Sequence, residues 1–261
     1  MTIPSDELQR LLEFAVTIAR EAGDLTLNYF RSQYTIENKA DGSEVTAADR
    51  EAEAHLRARI SRQFPDDEIL GEEQENREGT SGRRWIIDPI DGTFSFVRGV
   101  PMFGVLIALA DHEDVVLGVV NLPASREMVY AARGLGCFGN GERVRVSSTE
   151  TLGQALLLST DFGTAAAYGF GRATEELERR VKARRTWGDC YGHILVATGR
   201  ADIMLDPIMN LWDCAPLLPI LEEAGGTFTD WNGKPGIDGG NAISTNGKLF
   251  DQVMQIVREN S

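Results

Sequence analysis

Trp85-Ile86-Ile87-Asp88-Pro89-Ile90-Asp91-Gly92-Thr93 is the stretch on which the reading of this chain turns. Its first three residues lack polar alternation, the pattern of a strand buried on both faces, and the run is broken at Pro89 and Gly92. Asp88 and Asp91 are therefore expected at the strand's exit, where carboxylates can converge on a hard cation. Gly92 lets a ligand approach the backbone closely, and Thr93 offers a hydroxyl and an N–H. A helix starting at Thr93 would add free N–H groups, an anion site beside the cation site. That pairing suits phosphate ester chemistry. The same residues also read as a plain turn at Asp91-Gly92 with Asp88 as an Asx cap, and the segment alone leaves both readings open.

Around this segment lie 261 residues, enough for one large domain or two lobes with a substantial core. With 40 acidic against 26 basic side chains the formal net charge is -14, and the pI is near 4.7. Such a surface disfavours nucleic acid as a partner and suits a protein that collects divalent cations, although most carboxylates are ordinary solvated surface. Cys137, Cys190 and Cys214 are widely spaced, without a Cys-x-x-Cys pair or a leader-like opening, so a reducing cytoplasm is expected. His55, His112 and His193 have no zinc-type spacing, which leaves an imidazole metal site or a Ser-His-Asp triad poorly supplied. No apolar run reaches the ~18 residues of a membrane span, and no membrane is expected as a partner.

Before the segment, Ser5 is placed to cap a helix whose apolar face is Leu8, Leu11, Leu12, Ala15, Ala19 and Ala22, interrupted at Gly23 and continued by Leu27 to Phe30. Thr46 and Asp49 approximate a capping box for a second helix, which is a sufficient structural reason for both. Glu68-Ile69-Leu70 reads as a short strand with Glu72 at its exit, and Gln74 to Arg84 as a mobile surface loop. After the segment come a short helix from Phe94 to Val97 and three strands, Val105 to Ala110, Val115 to Asn121 and Glu127 to Ala132, close enough for an antiparallel meander. Gly134, Gly136, Gly139 and Gly141 lack a phosphate-loop ending and read as hairpin turns leading into Arg143 to Val146.

From about Thr149 strands alternate with helices. Ala155 to Ser159 is a strand, Gly171 to Arg184 a charged helix, Asp189 to Gly199 a helix and Ala201 to Asp206 a strand. Trp212 to Ala224 is a helix closed by Gly225-Gly226, and Asp213 in its first turn is either a charge complementing the helix dipole or a ligand aimed at what the helix end faces. The expected division is 1-147, carrying helices and a largely antiparallel sheet, and 148-261, an α/β lobe.

Gly71-Glu72-Glu73, Asp88-Pro89-Ile90-Asp91-Gly92-Thr93 and Trp212-Asp213 with Gly225-Gly226 behind it together resemble the inositol monophosphatase superfamily over nearly the whole chain. The resemblance implies an α+β fold, a five-layer αβαβα sandwich of two lobes with the site between them, and a homodimer. It implies magnesium, two or three ions per site: Glu72, Asp88 and the Ile90 carbonyl on one, Asp88, Asp91 and Asp213 on a second, with Glu73 and Lys39 near a third. Thr93 with Asp49 would serve the attacking water, and Gly92 and Thr93 N–H groups the phosphate of a small monoester. Ser95 after Asp-Gly-Thr-x, and Gly188-Asp189-Cys190-Tyr191-Gly192, are most similar to the histidinol-phosphate phosphatase branch. Asp189 and Asp206 would oppose the amine and imidazole of such a substrate in charge-assisted bonds. Each also reads as a local feature, Asp189 as a helix cap and Asp206 as a strand end. The rival substrates are inositol, sugar or nucleotide phosphates. The Asp-x-x-Asp spacing disfavours a covalent aspartyl phosphate, for which Asp-x-Asp is expected.

Overall fold

A strand without a polar face needs cover on both sides, and the layering of the chain follows from that need. The structure, a computed structural model, describes residues 3–33, 36–38 and 44–260. Helix α1 (Ser5–Tyr29) is followed by the antiparallel pair β1 (Ile36–Asn38) and β2 (Glu44–Thr46), then by α2 (Ala47–Gln63). Strands β3 (Glu68–Gly71), β4 (Arg83–Asp91), β5 (Gly104–Asp111), β6 (Asp114–Leu122), β7 (Glu127–Ala132), β8 (Gly136–Gly139) and β9 (Glu142–Arg143) pair in that order into a seven-stranded sheet, with α3 (Thr93–Val97) inserted after β4. Next come β10 (Leu156–Ser159), α4 (Thr164–Ala167), α5 (Gly171–Arg180), β11 (Ala183–Arg185), α6 (Asp189–Ala197) and β12 (Ile203–Asp206). The chain closes with α7 (Leu211–Glu223), β13 (Thr227–Thr229), β14 (Ala242–Thr245) and α8 (Phe250–Glu259), and its second sheet has the order β11-β10-β12-β14-β13.

Side chains alternate across a strand, so each sheet serves two cores. In β5, Val105, Ile107 and Leu109 join Leu11, Leu12, Ile18, Leu56 and Ile60 beneath α1 and α2, while Leu106 faces Ile194, Leu217 and Ile220 of α6 and α7. The second sheet repeats the arrangement, with Met204 toward α6 and α7 and Ile203 and Leu205 toward Leu177, Val253 and Ile256 of α5 and α8. The result is the expected α+β five-layer sandwich, with α6 and α7 apolar on every side because both neighbours are sheets. The described residues contain no helix long and apolar enough to cross a membrane.

Several local expectations are revised. α1 begins after Pro4 with no side-chain cap from Ser5, and it runs unbroken through Gly23. β4 continues through Pro89 to Asp91 instead of stopping at Ile87. The 74–84 segment is polar but pinned, by reciprocal backbone bonds of 2.9 Å between Ile69 and Arg77 and by Thr80 and Ser81 N–H groups on the Asp66 carbonyl. The glycines after β7 include a strand, β8, which pairs with β7 from Gly136 to Gly139. The charged helix ends at Arg180, and Ala183–Arg185 form an edge strand parallel to β10, where charged side chains are tolerated because one edge is open to water.

Helix α7 crosses β6 at Gly118, where an added Cβ would lie 2.1 Å from the Pro216 carbonyl oxygen. Backbone on backbone leaves no flexible atom to yield. Gly118→Ala is therefore expected to destabilise the fold by roughly 2–3 kcal/mol, read as a lower urea midpoint at unchanged slope.

Candidate active site

In β4, Trp85 and Ile87 face α1 and α2, while Ile86 packs with Ala215 of α7. Asp88, two residues after Ile86, therefore points into the α7 layer. Asp91 is three residues further on and would face the opposite way in a regular strand. The pairing shows why it does not: Asp88 opposes Leu106 and Asp91 opposes Gly104, three steps on β4 against two on β5. This extra residue at Pro89-Ile90 is a bulge that returns Asp91 to the face of Asp88, while Ile90 packs with Ala48, Phe96 and Phe103. β3 runs parallel to β4 with Gly71 opposite Ile87, so Glu72 leaves its strand beside Asp88.

The fourth carboxylate comes from α7. Asp213 is the third residue of the helix and accepts the Asn210 N–H at 2.7 Å in a capping box. One carboxylate oxygen from each of Asp88, Asp91 and Asp213 lies within 4.8 Å of the others. Asp88 is 1% exposed, and one of its oxygens accepts the Ile90 N–H at 2.9 Å. The Asx-type bond and the clustered carboxylate are thus both present. Burial pushes the Asp88 carboxyl well above its ordinary range, and the charges of Glu72, Asp91 and Asp213 push the same way. Burial also raises Asp91 to about 7, aided by the Asp213 charge and opposed by the Cys190 N–H it accepts at 2.6 Å. Asp213 is raised to about 7, again chiefly by burial. A knot of oxygen donors that resist ionising together fits a hard divalent cation, which would relieve their repulsion.

Asp49 is buried at the start of α2, where it accepts the Thr46 N–H at 2.8 Å and the Thr46 hydroxyl at 2.6 Å. Its other oxygen lies 3.5 Å from the Thr93 hydroxyl, which donates at 2.9 Å to the Ile90 carbonyl. Gly92 adopts a left-handed φ of +81°, which turns the chain from β4 into α3. An added Cβ there would also lie 3.2 Å from an Asp189 oxygen, so Asp189 stands against this turn.

The second sheet supplies the opposite wall. β10 and β12 are parallel, and Thr160 and Asp206 meet at their carboxyl ends, the Thr160 hydroxyl donating to Asp206 at 3.0 Å. The same hydroxyl accepts the Asp189 N–H at 2.9 Å. Asp189, Asp206, Thr160, Asp91, Asp213 and Ile208 are among the residues lining a cavity of about 170 Å³ between the sheets, and among the described residues no lysine or arginine lines it.

The family model described as the inositol monophosphatase family matches residues 7–261. The chain belongs to the inositol monophosphatase family. It is 44% identical over 240 residues to a histidinol-phosphatase of Chlorobaculum parvum, covering 91% of this chain and 93% of that protein. It is 39% identical to a histidinol-phosphatase of Mycobacterium tuberculosis, with 93% and 96% covered. Among solved structures, an IMPase of Thermotoga maritima superposes with a TM-score of 0.86 at 36% identity, covering 96% of this chain and 97% of that one.

Against the inositol monophosphatase motifs, the structure gathers Glu72, Asp88, Asp91 and Asp213 at one point, with Ile90, Gly92, Thr93 and Asp49 around the β4 exit and Asp189 and Asp206 across the cavity. Lys39 lies outside the described residues. Asp189 is not a side-chain cap: α6 has no side-chain cap bond. Sequence reasoning missed Thr160, although it follows a strand as Glu72 does. It also missed buried His193, whose Nδ1 is 2.7 Å from the Ser244 hydroxyl and whose Nε2 is 3.8 Å from Asp206.

With divalent cations removed by EDTA, Asp91 and Asp213 stay protonated to about 7 in the folded chain, against an ordinary 3.8 once unfolded. The folded chain then binds more protons between these values, so this contribution to stability falls as pH rises from 3.8 to about 7. Urea denaturation of the metal-free wild type and Asp91→Asn across that interval should show the wild type losing more stability than the variant. Parallel pH profiles would refute the raised Asp91 pKa.

Proposed function

We propose that this protein is a magnesium-dependent phosphomonoesterase that hydrolyses L-histidinol phosphate to L-histidinol and phosphate by attack of water. The observation that carries the reading is the cavity itself: carboxylates from both sheets and both central helices and, among the described residues, no basic side chain. Cations would offset the repulsion between these carboxylates and a phosphate dianion. Glu72, Asp88 and the Ile90 carbonyl would hold one ion, and Asp88, Asp91 and Asp213 a second, with Glu73 beside a third. Bound there, magnesium supplies neutralising charge to the phosphate and leaving oxygen and acidifies water.

The chain's own groups do the rest. Thr93 now donates to the Ile90 carbonyl. With the Ile90 carbonyl occupied by an ion, the Thr93 hydroxyl would donate to Asp49 instead, and its oxygen would accept the attacking water's proton as its own proton passes to Asp49. Asp49 is suited to this because the two Thr46 bonds fix its carboxylate and burial raises its affinity for a proton. The Gly92 and Thr93 N–H groups orient the phosphate oxygens. Asp189 and Asp206 face the amine and imidazole of the leaving alcohol, a pairing that the names of the two bacterial relatives support. The likeness to an IMPase supports inositol monophosphate as the second reading. The reading also includes lobes at 1-147 and 148-261, a homodimer, and a cytoplasmic setting suited to three buried, unpaired cysteines.

Asp91→Asn should abolish phosphate release while leaving the circular dichroism spectrum unchanged; near-normal release would remove the assignment. Asp206→Ala should lower kcat/KM for histidinol phosphate about 10- to 100-fold, the loss of a charge-assisted bond. A generic aryl phosphate should be affected far less. Equal losses on both, or faster turnover of inositol monophosphate by the wild type, would favour the second reading.

A further inference from the structure

The stripe of α2 that begins with Asp49 continues at Glu53 and Arg57, each one turn further along the same face. Glu53 is fully buried, a costly position for a carboxylate, and apart from Arg57 its partners lie on one short piece of backbone. Its two oxygens accept the Glu73 N–H at 2.7 Å and the Gln74 N–H at 3.0 Å. Arg57 Nε donates to Glu53 at 2.7 Å, and a second nitrogen of the same guanidinium donates to the Gln74 carbonyl at 3.0 Å. On the other side of Glu72, an added Cβ at Gly71 would lie 2.6 Å from the Glu53 carboxylate and 2.7 Å from the Arg57 guanidinium. The backbone is therefore bonded by this pair immediately after Glu72 and closely packed against it immediately before.

We propose that Glu53 and Arg57 are positioning residues that fix the Glu72 carboxylate for the metal, so that α2 sets the Glu72 loop at one turn and presents Asp49 to Thr93 at another. The inference rests on Glu72 being a metal ligand. A loop held only for the sake of the fold would need any acceptor for two N–H groups. Here a buried ion pair is used, giving shorter, stronger and more directional bonds around the one residue of the loop that faces Asp88. Ligand carboxylates held in this way typically lose metal affinity by about 10–100-fold when the holding group is removed.

The test is calorimetric titration of magnesium alone into EDTA-stripped, full-length protein. Glu53→Gln keeps the shape but loses the charge and places an N–H₂ against a backbone donor. Gly71→Ala strains the clamp from the other side without altering any polar group. Both are expected to weaken magnesium binding about 10–100-fold, and to raise the magnesium concentration for half-maximal activity in step. KM for substrate at saturating magnesium should stay within about twofold, since Asp189 and Asp206 are untouched. If Glu53→Gln fails to fold, Gly71→Ala carries the test. Lower melting temperatures with magnesium affinity within about twofold of wild type would make the clamp merely structural and overturn the inference. Glu72→Gln is the control. Should it bind magnesium as the wild type does, the ligand reading of Glu72 falls, and the inference with it.

Discussion

Mutual repulsion among Glu72, Asp88, Asp91 and Asp213 sets the demand that the surrounding structure has to meet. Each carboxylate arrives on a different kind of support, and each support is stiff. Asp88 is part of a strand with neighbours on both sides, Asp91 is turned inward by the β4 bulge and accepts a backbone N–H from α6, and Asp213 is locked into a capping box. These bonds oppose the repulsion one group at a time, and none of them neutralises it. The cluster is thus held ready for a cation by the fold, in the way that preorganised sites reduce rearrangement on binding.

The supports converge because of how the layers are stacked. Parallel strand pairs in the two sheets, β3 with β4 and β10 with β12, end on the same side, and the two central helices begin there. Ligands in α/β sheets collect at the carboxyl ends of strands for this reason. A middle layer of helices between two sheets needs side chains that are apolar all round, and small residues where backbones touch. Gly118 under Pro216 is such a point, and the seat it gives α7 determines where Asp213 emerges.

Much of this was legible in the sequence, for identifiable reasons. The unbroken apolar runs of β5 and β6 announced burial on both faces, and three spaced acidic motifs carried the carboxylates that cluster in the fold. What stayed hidden depended on geometry across the chain. The β4 bulge could not be read from Pro89, because proline marks an interruption without saying whether pairing resumes. The edge strand β11 was concealed by the arginines that make an open edge tolerable. Glu53 looked like one more acidic residue on a polar helix, since nothing local distinguishes a buried carboxylate from a solvated one.

The substrate wall was the least legible part, and its backbone explains why. Asp189 holds a left-handed φ of +51°, a conformation that aspartate tolerates better than most residues but that still costs free energy. The Thr160 hydroxyl accepts its N–H and donates to Asp206, so one side chain holds the Asp189 backbone and the Asp206 carboxylate at once. Asp189 is also brought against Gly92, where any side chain would crowd it. The glycine that opens the backbone at the β4 exit therefore makes room for the aspartate across the cavity. Three residues from distant parts of the chain, Gly92, Thr160 and Asp189, each permit the position of another, and no short motif could have shown that dependence.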